Sequence, residues 1–599
     1  MSYAAPVRDL RFALEEIAGI EGLKSSGAFA DLSPDLIQAI LEESGKLAAD
    51  VLAPLNKIGD REGVQLQNGV VRAAPGFGEA YQQFVAGGWQ GLPFDPEFGG
   101  LGLPRALSLA VSEMMHGANM SFALAPMLTL GAIEALQAHG TAQQKATYLP
   151  KLISGEWTGT MNLTEPQAGS DVGALTARAV PQDDGSFRIF GQKIYITWGD
   201  HDMAANTIHL VLARTPSAPI GSRGVSLFIV PKFLPKPDGT LGHRNDVRCI
   251  GLEHKMGIHG SPTCTMAYGE VDGAIGWLIG EENKGLAAMF TMMNSALLNV
   301  GIQGVGVAEA AFQKAFEYAQ ERKQGKAEGW SEAGPSPILH HADVRRMLMT
   351  MKAKVAAARA ICFSTAVAAD LAETSDDPVE AAAAKLREEL FTPIAKGWST
   401  EVGVEIASLG VQIHGGMGFV EEGGAAQFYR DARIAAIYEG TNGIQAIDLV
   451  GRKLGLDEGA GTKALIAEIR ASVDDCLTSS NNQLVWIGER LQAAVATFEE
   501  AATWLVEKNA TAKRDALAGA TPFLELAGDV VGGWMLAKGG LAAQRHLKAG
   551  EGDSGYYTAK IALAGFFAEN ILARAPGKLA GITAGSNVLF EADIEALTG

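Results

Sequence analysis

The feature that most constrains this fold is a change of sequence pattern near Gly159. From there to about Gly280, short β-rich runs alternate with turn signals, and no long helical pattern interrupts them. Residues 7–155 and 285–453, on either side, show helical periodicity instead. Because parallel strands need crossover helices, a run of strands without helices favours an antiparallel sheet. The pattern therefore predicts an α+β multidomain protein with a central antiparallel β domain.

The same pattern predicts four domains. A chain of 599 residues is too long for one hydrophobic core. Four long helical segments at 285–324, 341–372, 379–411 and 429–453 are typical of a bundle, and a glycine-bearing linker with further helix follows them. We expect an N-terminal helical domain at 1–158, the β domain at 159–284, a C-terminal four-helix bundle at 285–455 and an extra C-terminal helical domain at 463–599.

Charge and composition narrow the function. The formal net charge of -19 disfavours nucleic acid as a partner, because phosphate contacts need a basic surface. The four cysteines have no paired spacing, which indicates neither a metal site nor a disulfide framework. Charges at Arg8, Asp9 and Arg11 argue against a signal peptide, and the apolar run 120–133 is too short to span a bilayer. We expect a cytoplasmic protein with no metal and no membrane contact.

One carboxylate stands out near the end of the predicted bundle. An apolar run, Ile434 to Tyr438, delivers Glu439 directly before a Gly-Thr-Asn-Gly turn. A carboxylate in this position is poised for partial burial beside a ligand, which raises its pKa and makes it a usable base near neutral pH. From this stretch alone, a helix-terminal glutamate facing water is the competing interpretation.

Three other stretches indicate a flat, phosphate-bearing ligand. The run 161–171 (M-N-L-T-E-P-Q-A-G-S-D) offers small and hydroxyl residues, and 195–199 (Y-I-T-W-G) offers aromatic rings at a strand end. The glycines of 412–419 (Q-I-H-G-G-M-G-F) could bring backbone amides to a pyrophosphate. No β-α-β unit surrounds them, so this is not a dinucleotide-binding fingerprint. A glycine turn, a strand with a buried tyrosine and a structural histidine are the respective alternatives.

Together, these stretches resemble the acyl-CoA dehydrogenase family of flavoproteins over roughly residues 35–455. The resemblance rests on five motifs: L-T-E-P-Q-A-G-S-D at 163–171, Q-I-H-G-G-M-G-F-V-E-E at 412–422, R-D-A-R at 430–433, I-Y-E-G-T at 437–441 and G-W-Q-G-L-P-F-D-P-E-F-G-G-L-G at 88–102. It implies an FAD enzyme, assembled as a homodimer or a dimer of dimers. Such an enzyme oxidises an acyl-CoA to the trans-2-enoyl-CoA and passes electrons to electron-transfer flavoprotein.

The resemblance also implies roles for single residues. Glu439 would remove the α-proton, Gly440 would lie at the thioester, and Ser170 would contact both FAD and the CoA chain. Some family members carry the base on the helix that corresponds to 292–301, where this chain has Ala296 and Leu297 and no carboxylate. The expected FAD contacts are Met161, Leu163, Thr164, Ser170, Tyr195, Ile196, Thr197 and Thr441 within one subunit, and Arg322, Gln412, Gly415 and Gly416 toward the neighbouring subunit.

The two ends of the chain narrow the subgroup. Residues 3–12 and the extra C-terminal domain resemble the long bacterial members that include 3-(methylthio)propanoyl-CoA dehydrogenase. We therefore expect 3-(methylthio)propanoyl-CoA or a related short-chain acyl-CoA as substrate. The alternatives are a medium- or long-chain fatty acyl-CoA dehydrogenase of β-oxidation, an acyl-CoA oxidase and a DNA-binding flavoprotein of the same fold.

Overall fold

The computed structural model describes residues 3–598 and confirms the predicted α+β class, with helices before and after a central β region. The first region contains six helices and a small β-hairpin, which the helical pattern did not predict. Their bounds are α1 Val7–Phe12, α2 Pro34–Lys46, α3 Ala53–Glu62, β1 Gln65–Gln67, β2 Val70–Arg72, α4 Phe77–Ala86, α5 Arg105–His139 and α6 Ala142–Ile153.

Helix α5 is the long central element of this first region. It is kinked at Asn119, where the backbone leaves the helical range. The Asn119 side chain accepts a hydrogen bond from the Phe122 amide at 3.1 Å, as a helix-capping asparagine does, so the helix starts again after the kink. Helix α5 packs against the first strand of the β region and against the long helix that follows the β region.

The central region is mostly antiparallel, as predicted. Its strands are β3 Trp157–Asn162, β4 Arg178–Pro181, β5 Phe187–Thr197, β6 Asn206–Ala213, β7 Ser226–Pro231, β8 Phe233–Pro235, β9 Leu241–Arg244, β10 Val247–Leu252, β11 Thr263–Tyr268 and β12 Ala274–Ile279. Eight of them form one sheet in the order β10-β11-β5-β12-β7-β6-β3, with β4 also paired to β5. The β3–β6 pair is parallel, which the strand pattern did not predict.

Three long helices follow, α7 Gly285–Glu321, α8 Ala342–Thr374 and α9 Pro378–His414, and they pack closely on one another. The fourth predicted helix, 429–453, is wrong as a continuous element. It is divided into α11 Ala425–Ala432, a 3-10 turn Arg433–Ala436, α12 Asn442–Asp448 and a π-helical turn Leu449–Lys453, after a short α10 Gly416–Phe419. The break falls at Glu439 and Gly440, whose φ angles of +53° and +80° are incompatible with a helix.

The last region is helical throughout, as predicted. It contains α13 Ala460–Leu477, α14 Asn482–Thr511, α15 Lys513–Ala518, α16 Ala520–Ala549, α17 Ser554–Asn570, α18 Ala575–Ile582 and α19 Asn587–Glu591. Helix α16 packs on α8, α9 and α12, and α17 packs on α8. The extra region therefore shares a continuous hydrophobic core with the helices that precede it.

A buried charge network fastens these regions together. Arg359 of α8 forms a bidentate pair with Glu113 of α5 and contacts Glu309 of α7 at 2.9 Å. Lys352 bridges Glu309, at 3.2 Å, to Asp9 of α1, at 2.8 Å. The network consists of Glu113, Arg359, Glu309, Lys352, Asp9 and Lys560 of α17, and it spans five helices from the first, third and last regions.

Three helices, α5, α7 and α8, are long and apolar enough to cross a membrane by length and composition. Of their most apolar stretches, 94%, 61% and 78% of the residues, respectively, are buried inside the protein. Their apolar faces therefore form the core of this fold. The expected cytoplasmic location without membrane contact stays a prediction.

Candidate active site

Glu439 lies on a strained turn between the 3-10 turn and α12. Its φ of +53° is rare for a residue other than glycine, and such geometry persists only where the surroundings enforce it. The side chain is partly exposed, and no residue among 3–598 donates a hydrogen bond to its carboxylate. Burial raises the pKa of Glu439, and the nearby Lys396 ammonium opposes that rise.

Lys396 of α9 anchors this turn through hydrogen bonds. Its side chain is fully buried, and Nζ donates to the Gly440 carbonyl oxygen and to Asn442 Oδ1, both at 2.8 Å. Asn442 also donates to Thr400 at 3.0 Å and to Glu401 at 2.7 Å. The sequence analysis missed Lys396. The signal was a lone charge inside the apolar run 390–399 of α9.

Tyr438, the residue before Glu439, is anchored on the other side of the turn. Tyr438 donates its hydroxyl to Gln303 Oε1 on α7, and Gln303 Nε2 lies 2.8 Å from Met127 Sδ on α5. The turn thus sits between α9 and the α5–α7 pair. Ala296 and Leu297, the competing position for a base, are buried apolar residues of α7.

The R-D-A-R motif is a structural joint between three regions. Arg430 pairs with Asp60 of α3 at 2.5 Å, while Asp431 accepts from the Ile258 amide of the β10–β11 loop at 2.5 Å. Gly257 approaches Arg430 so closely that a Cβ there would lie 2.5 Å from its backbone. This joint fixes the segment that leads into Glu439.

The residues predicted to line the flavin ring are brought together at one end of the sheet. Thr160, next to Met161, donates through Oγ1 to the Thr197 carbonyl at 2.7 Å, and the Ile194 amide donates to the Thr164 carbonyl at 3.0 Å. These bonds place the end of β3 and the following loop, residues 161–164, beside the end of β5, residues 195–197.

Within this cluster, the side chains differ in what they present. The Tyr195 ring is 61% exposed on a backbone with φ of +59°, and Leu163, Thr164 and Thr197 are half-buried. The Ile196 side chain is buried in the second core of the β region, so Ile196 presents only main-chain atoms to a ligand. Ser170 lies on the exposed loop that follows.

A buried ion pair supports this loop. Glu165 and Lys193 are 2.8 Å apart, and Lys193 also donates to the Leu163 carbonyl at 3.0 Å. Burial alone would raise the pKa of Glu165, but Lys193 and the amides of Thr176 and Ala177 lower it to about 2. Sequence reasoning missed this pair, although both residues lie within the quoted motifs or next to them.

The second predicted group lies at the far ends of α7 and α9. The Tyr318 and His414 rings stack with centroids 4.4 Å apart, which brings the two helix ends together. The nearby residues Arg322, Gln412, Gly415 and Gly416 are all exposed. Within residues 3–598, no atom apart from the adjoining backbone lies within 4 Å of a Cβ built at Gly415 or Gly416, so their backbone is open to an incoming group.

A cavity of about 670 Å³ lies between α5, α7, α8 and α9. Its lining includes Leu130, Leu297, Leu298 and Thr392. Thr392 is one turn before Lys396 on α9, but neither Lys396 nor Glu439 is among the residues that line the cavity. The volume lies in the range of small-molecule sites.

Comparison with protein-family models shows which family this chain belongs to. Three acyl-CoA dehydrogenase family models match the chain: the N-terminal domain at 37–156, the middle domain at 160–271 and the C-terminal domain at 283–454. A fourth, described as acetyl-CoA dehydrogenase C-terminal like, matches 465–593. The chain belongs to the acyl-CoA dehydrogenase family.

Individual relatives cover this family member almost completely. It is 47% identical to 3-methylmercaptopropionyl-CoA dehydrogenase of Ruegeria pomeroyi, over 99% of this chain and 100% of that one. It is 36% identical to a butyryl-CoA dehydrogenase of Syntrophomonas wolfei, over 95% of each. An acyl-CoA dehydrogenase from Bacillus anthracis, solved with FAD, has the same fold, with a TM-score of 0.73, 21% identity and coverage of 95% and 90%.

The family binds FAD, and the site residues fit that cofactor. An exposed aromatic ring at Tyr195 and open glycine backbone at Gly415 and Gly416 suit a conjugated ring and a pyrophosphate, respectively. The structure brings the predicted residues together as two groups, one at the sheet end and one at the ends of α7 and α9. Thr441, predicted to meet the same subunit's FAD, is exposed and caps α12 through the Ile444 amide at 3.2 Å.

Proposed function

We propose that this acyl-CoA dehydrogenase oxidises the Cα–Cβ bond of a short-chain acyl-CoA, with Glu439 as the base. The observation that carries the proposal is the Glu439 turn. A carboxylate is held in a strained backbone conformation, and no residue among 3–598 donates a hydrogen bond to it. Its raised pKa suits a base that must capture a weakly acidic thioester α-proton.

In this reaction the protein positions the substrate and supplies the proton acceptor. Glu439 takes the α-proton, and the backbone amide beside it donates to the thioester oxygen, on which negative charge develops. Bound FAD supplies the acceptor for the β-hydrogen, which leaves as hydride. Met161, Leu163, Thr164, Tyr195, Ile196 and Thr197 would line the flavin ring, with Ser170 and Gly440 at the substrate.

The second group of residues supports an assembly of subunits. We place Arg322, Gln412, Gly415 and Gly416 at the FAD of a neighbouring subunit, and Thr441 at the FAD of its own. Met417 and Phe419, beside these glycines, are 49% and 87% exposed, which favours a covering partner. We propose a homodimer or a dimer of dimers, with electron-transfer flavoprotein as the electron acceptor.

For the substrate, we propose 3-(methylthio)propanoyl-CoA. The support is the relative named 3-methylmercaptopropionyl-CoA dehydrogenase, which is 47% identical and matches this chain along its whole length. The butyryl-CoA dehydrogenase relative supports butanoyl-CoA as the second candidate. The two acyl groups differ by a sulfur atom in the chain.

The test is anaerobic reduction of the flavin by a panel of 3-(methylthio)propanoyl-CoA, butanoyl-CoA and longer straight-chain acyl-CoAs. We expect the highest rate constant divided by Kd for the methylthio substrate. A preference for butanoyl-CoA or longer chains would overturn the substrate, and no bleaching by any acyl-CoA would overturn the function. Peroxide formed in air without an added acceptor would identify an oxidase instead.

A further inference from the structure

A fully buried lysine without a direct carboxylate partner is unusual, because burying an ammonium is costly unless strong acceptors surround it. Lys396 has the buried core residues Phe391, Ile394, Ala395 and Trp398 as its neighbours along α9. Its two acceptors are neutral: the Gly440 carbonyl oxygen and Asn442 Oδ1, both at 2.8 Å. Both belong to the turn that begins at Glu439.

We infer that Lys396 is a positioning residue for the proposed reaction, holding the turn at residues 439–442 and placing a positive charge beside the Glu439 carboxylate. The inference rests on the proposed function, because it concerns the residue through which that function acts.

The first effect of Lys396 is mechanical. Glu439 has a φ of +53°, which costs conformational energy that the surroundings must offset. Lys396 donates hydrogen bonds to the carbonyl oxygen of Gly440, the residue after Glu439, and to the side chain of Asn442. Asn442 in turn donates to Thr400 and Glu401 of α9. The turn is thereby fixed to a rigid helix, and loss of Lys396 frees it to relax.

The second effect of Lys396 is electrostatic. The titratable groups around the turn are Lys396 and Glu401 on α9, together with Tyr438 and Glu439 on the turn itself. Burial lowers the pKa of Lys396 to about 8, against the pull of Glu439 and Glu401. Lys396 is therefore charged below about pH 8, where it keeps Glu439 more ionised than burial alone would allow.

These two effects predict a bell-shaped pH profile for flavin reduction, with an acid limb from Glu439 and an alkaline limb near pH 8 from Lys396. Four variants separate them: K396M removes the charge, K396R keeps a charge that does not titrate, N442A removes one anchor, and K538M is the control. Lys538 is a partly buried lysine that donates to the Ile17 carbonyl at 2.6 Å, far along α16, and burial lowers its pKa too.

The measurement is the rate constant of anaerobic flavin reduction as a function of pH, beside FAD content and thermal unfolding. We expect K396M to keep FAD but to lose about 10–100-fold in rate, as misplacement of a catalytic group does. Its acid limb should move up by about one pH unit, because Glu439 loses its neighbouring charge. In K396R, the alkaline limb near pH 8 should disappear, and N442A should lose rate without a shift of the acid limb.

An unchanged pH profile in K396M, or the same profile changes in K538M, would overturn the inference while normal wild-type bleaching left the proposed function standing. If K396M does not fold, K396R decides: an alkaline limb that stays near pH 8 would overturn the inference. Failure of the wild-type protein to be bleached by any acyl-CoA would overturn both.

Discussion

The buried charge network and the Glu439 turn both combine cationic side chains with carboxylates, but they arrange them differently. In the buried charge network, each carboxylate contacts a cation directly, as Glu113 does with Arg359 and Asp9 with Lys352. Burial alone would raise the pKa of Asp9, but Lys352 and Lys560 hold it well below its usual range. At Glu113, burial outweighs the Arg359 guanidinium and the pKa stays raised, so direct contact with a cation, and not the pKa direction, is what the network carboxylates share. At the Glu439 turn, the lysine binds backbone and amide oxygens, and the carboxylate keeps a raised pKa.

The difference lies in where the cation points. A carboxylate in a direct ion pair is a poor base, because protonation would leave the cation unpaired in the core. A carboxylate that feels a cation without a bond to it can still accept a proton. We therefore interpret the network as structural and the turn as catalytic, and the predictions below test that division.

The largest expected effect is on the turn. We expect Glu439→Gln to retain FAD and to lower the rate of flavin reduction by acyl-CoA by about 10²–10⁴-fold, the usual contribution of a general base. The free energy of unfolding should change little, because the carboxylate accepts no hydrogen bond. Glu405→Gln is the matched control, since Glu405 pairs with Lys354 at the surface. Normal bleaching by Glu439→Gln would refute the assignment of the base.

The network should show the reverse pattern. Arg359→Met would leave Glu113 and Glu309 buried without their shared cation, which costs about 3–5 kcal/mol in the free energy of unfolding. The rate of flavin reduction per folded, FAD-bearing molecule should match that of the wild type. Chemical denaturation and stopped-flow reduction of the same sample measure both quantities.

Lys354→Met is the control for Arg359→Met. The Lys354–Glu405 pair is more exposed, so its loss should cost no more than about 1 kcal/mol. Equal losses in the two variants, or a rate defect in Arg359→Met, would mean that the division between the network and the turn is wrong.

The sequence predicted the fold class, and its motifs named Glu439 before any geometry was known. The pattern placed a Gly-Thr-Asn-Gly turn directly after Glu439 but still counted 429–453 as one helical segment, because residues 442–453 remain helical in pattern. The φ angles of Glu439 and Gly440 show that the helix is broken there. Lys396 and Gln303 were missed for a related reason. The roles of Lys396 on α9 and Gln303 on α7 depend on contacts with residues more than 40 positions away in the chain. Lys396 and Gly440, for example, are separated by 44.

The loop at 163–170, which we expect to face the flavin, offers the smallest effect and a sharper test, because Glu165–Lys193 is a direct pair within it and the neighbouring strand. Here the folded pKa of Glu165, about 2, lies below the unfolded value of about 4.3. The pair therefore adds stability at pH values above about 4.3, and that contribution is lost as the pH falls toward 2. We expect FAD release to rise over this window, with a loss of at most about 3 kcal/mol in the free energy of unfolding. Cofactor release and unfolding, followed by flavin and tryptophan fluorescence from pH 5 to 2, measure it.

In Glu165→Gln, stability at neutral pH should be lower and the acid-dependent part of the loss should vanish. An acid limb of the same size in that variant would show that Glu165 does not behave like the network carboxylates.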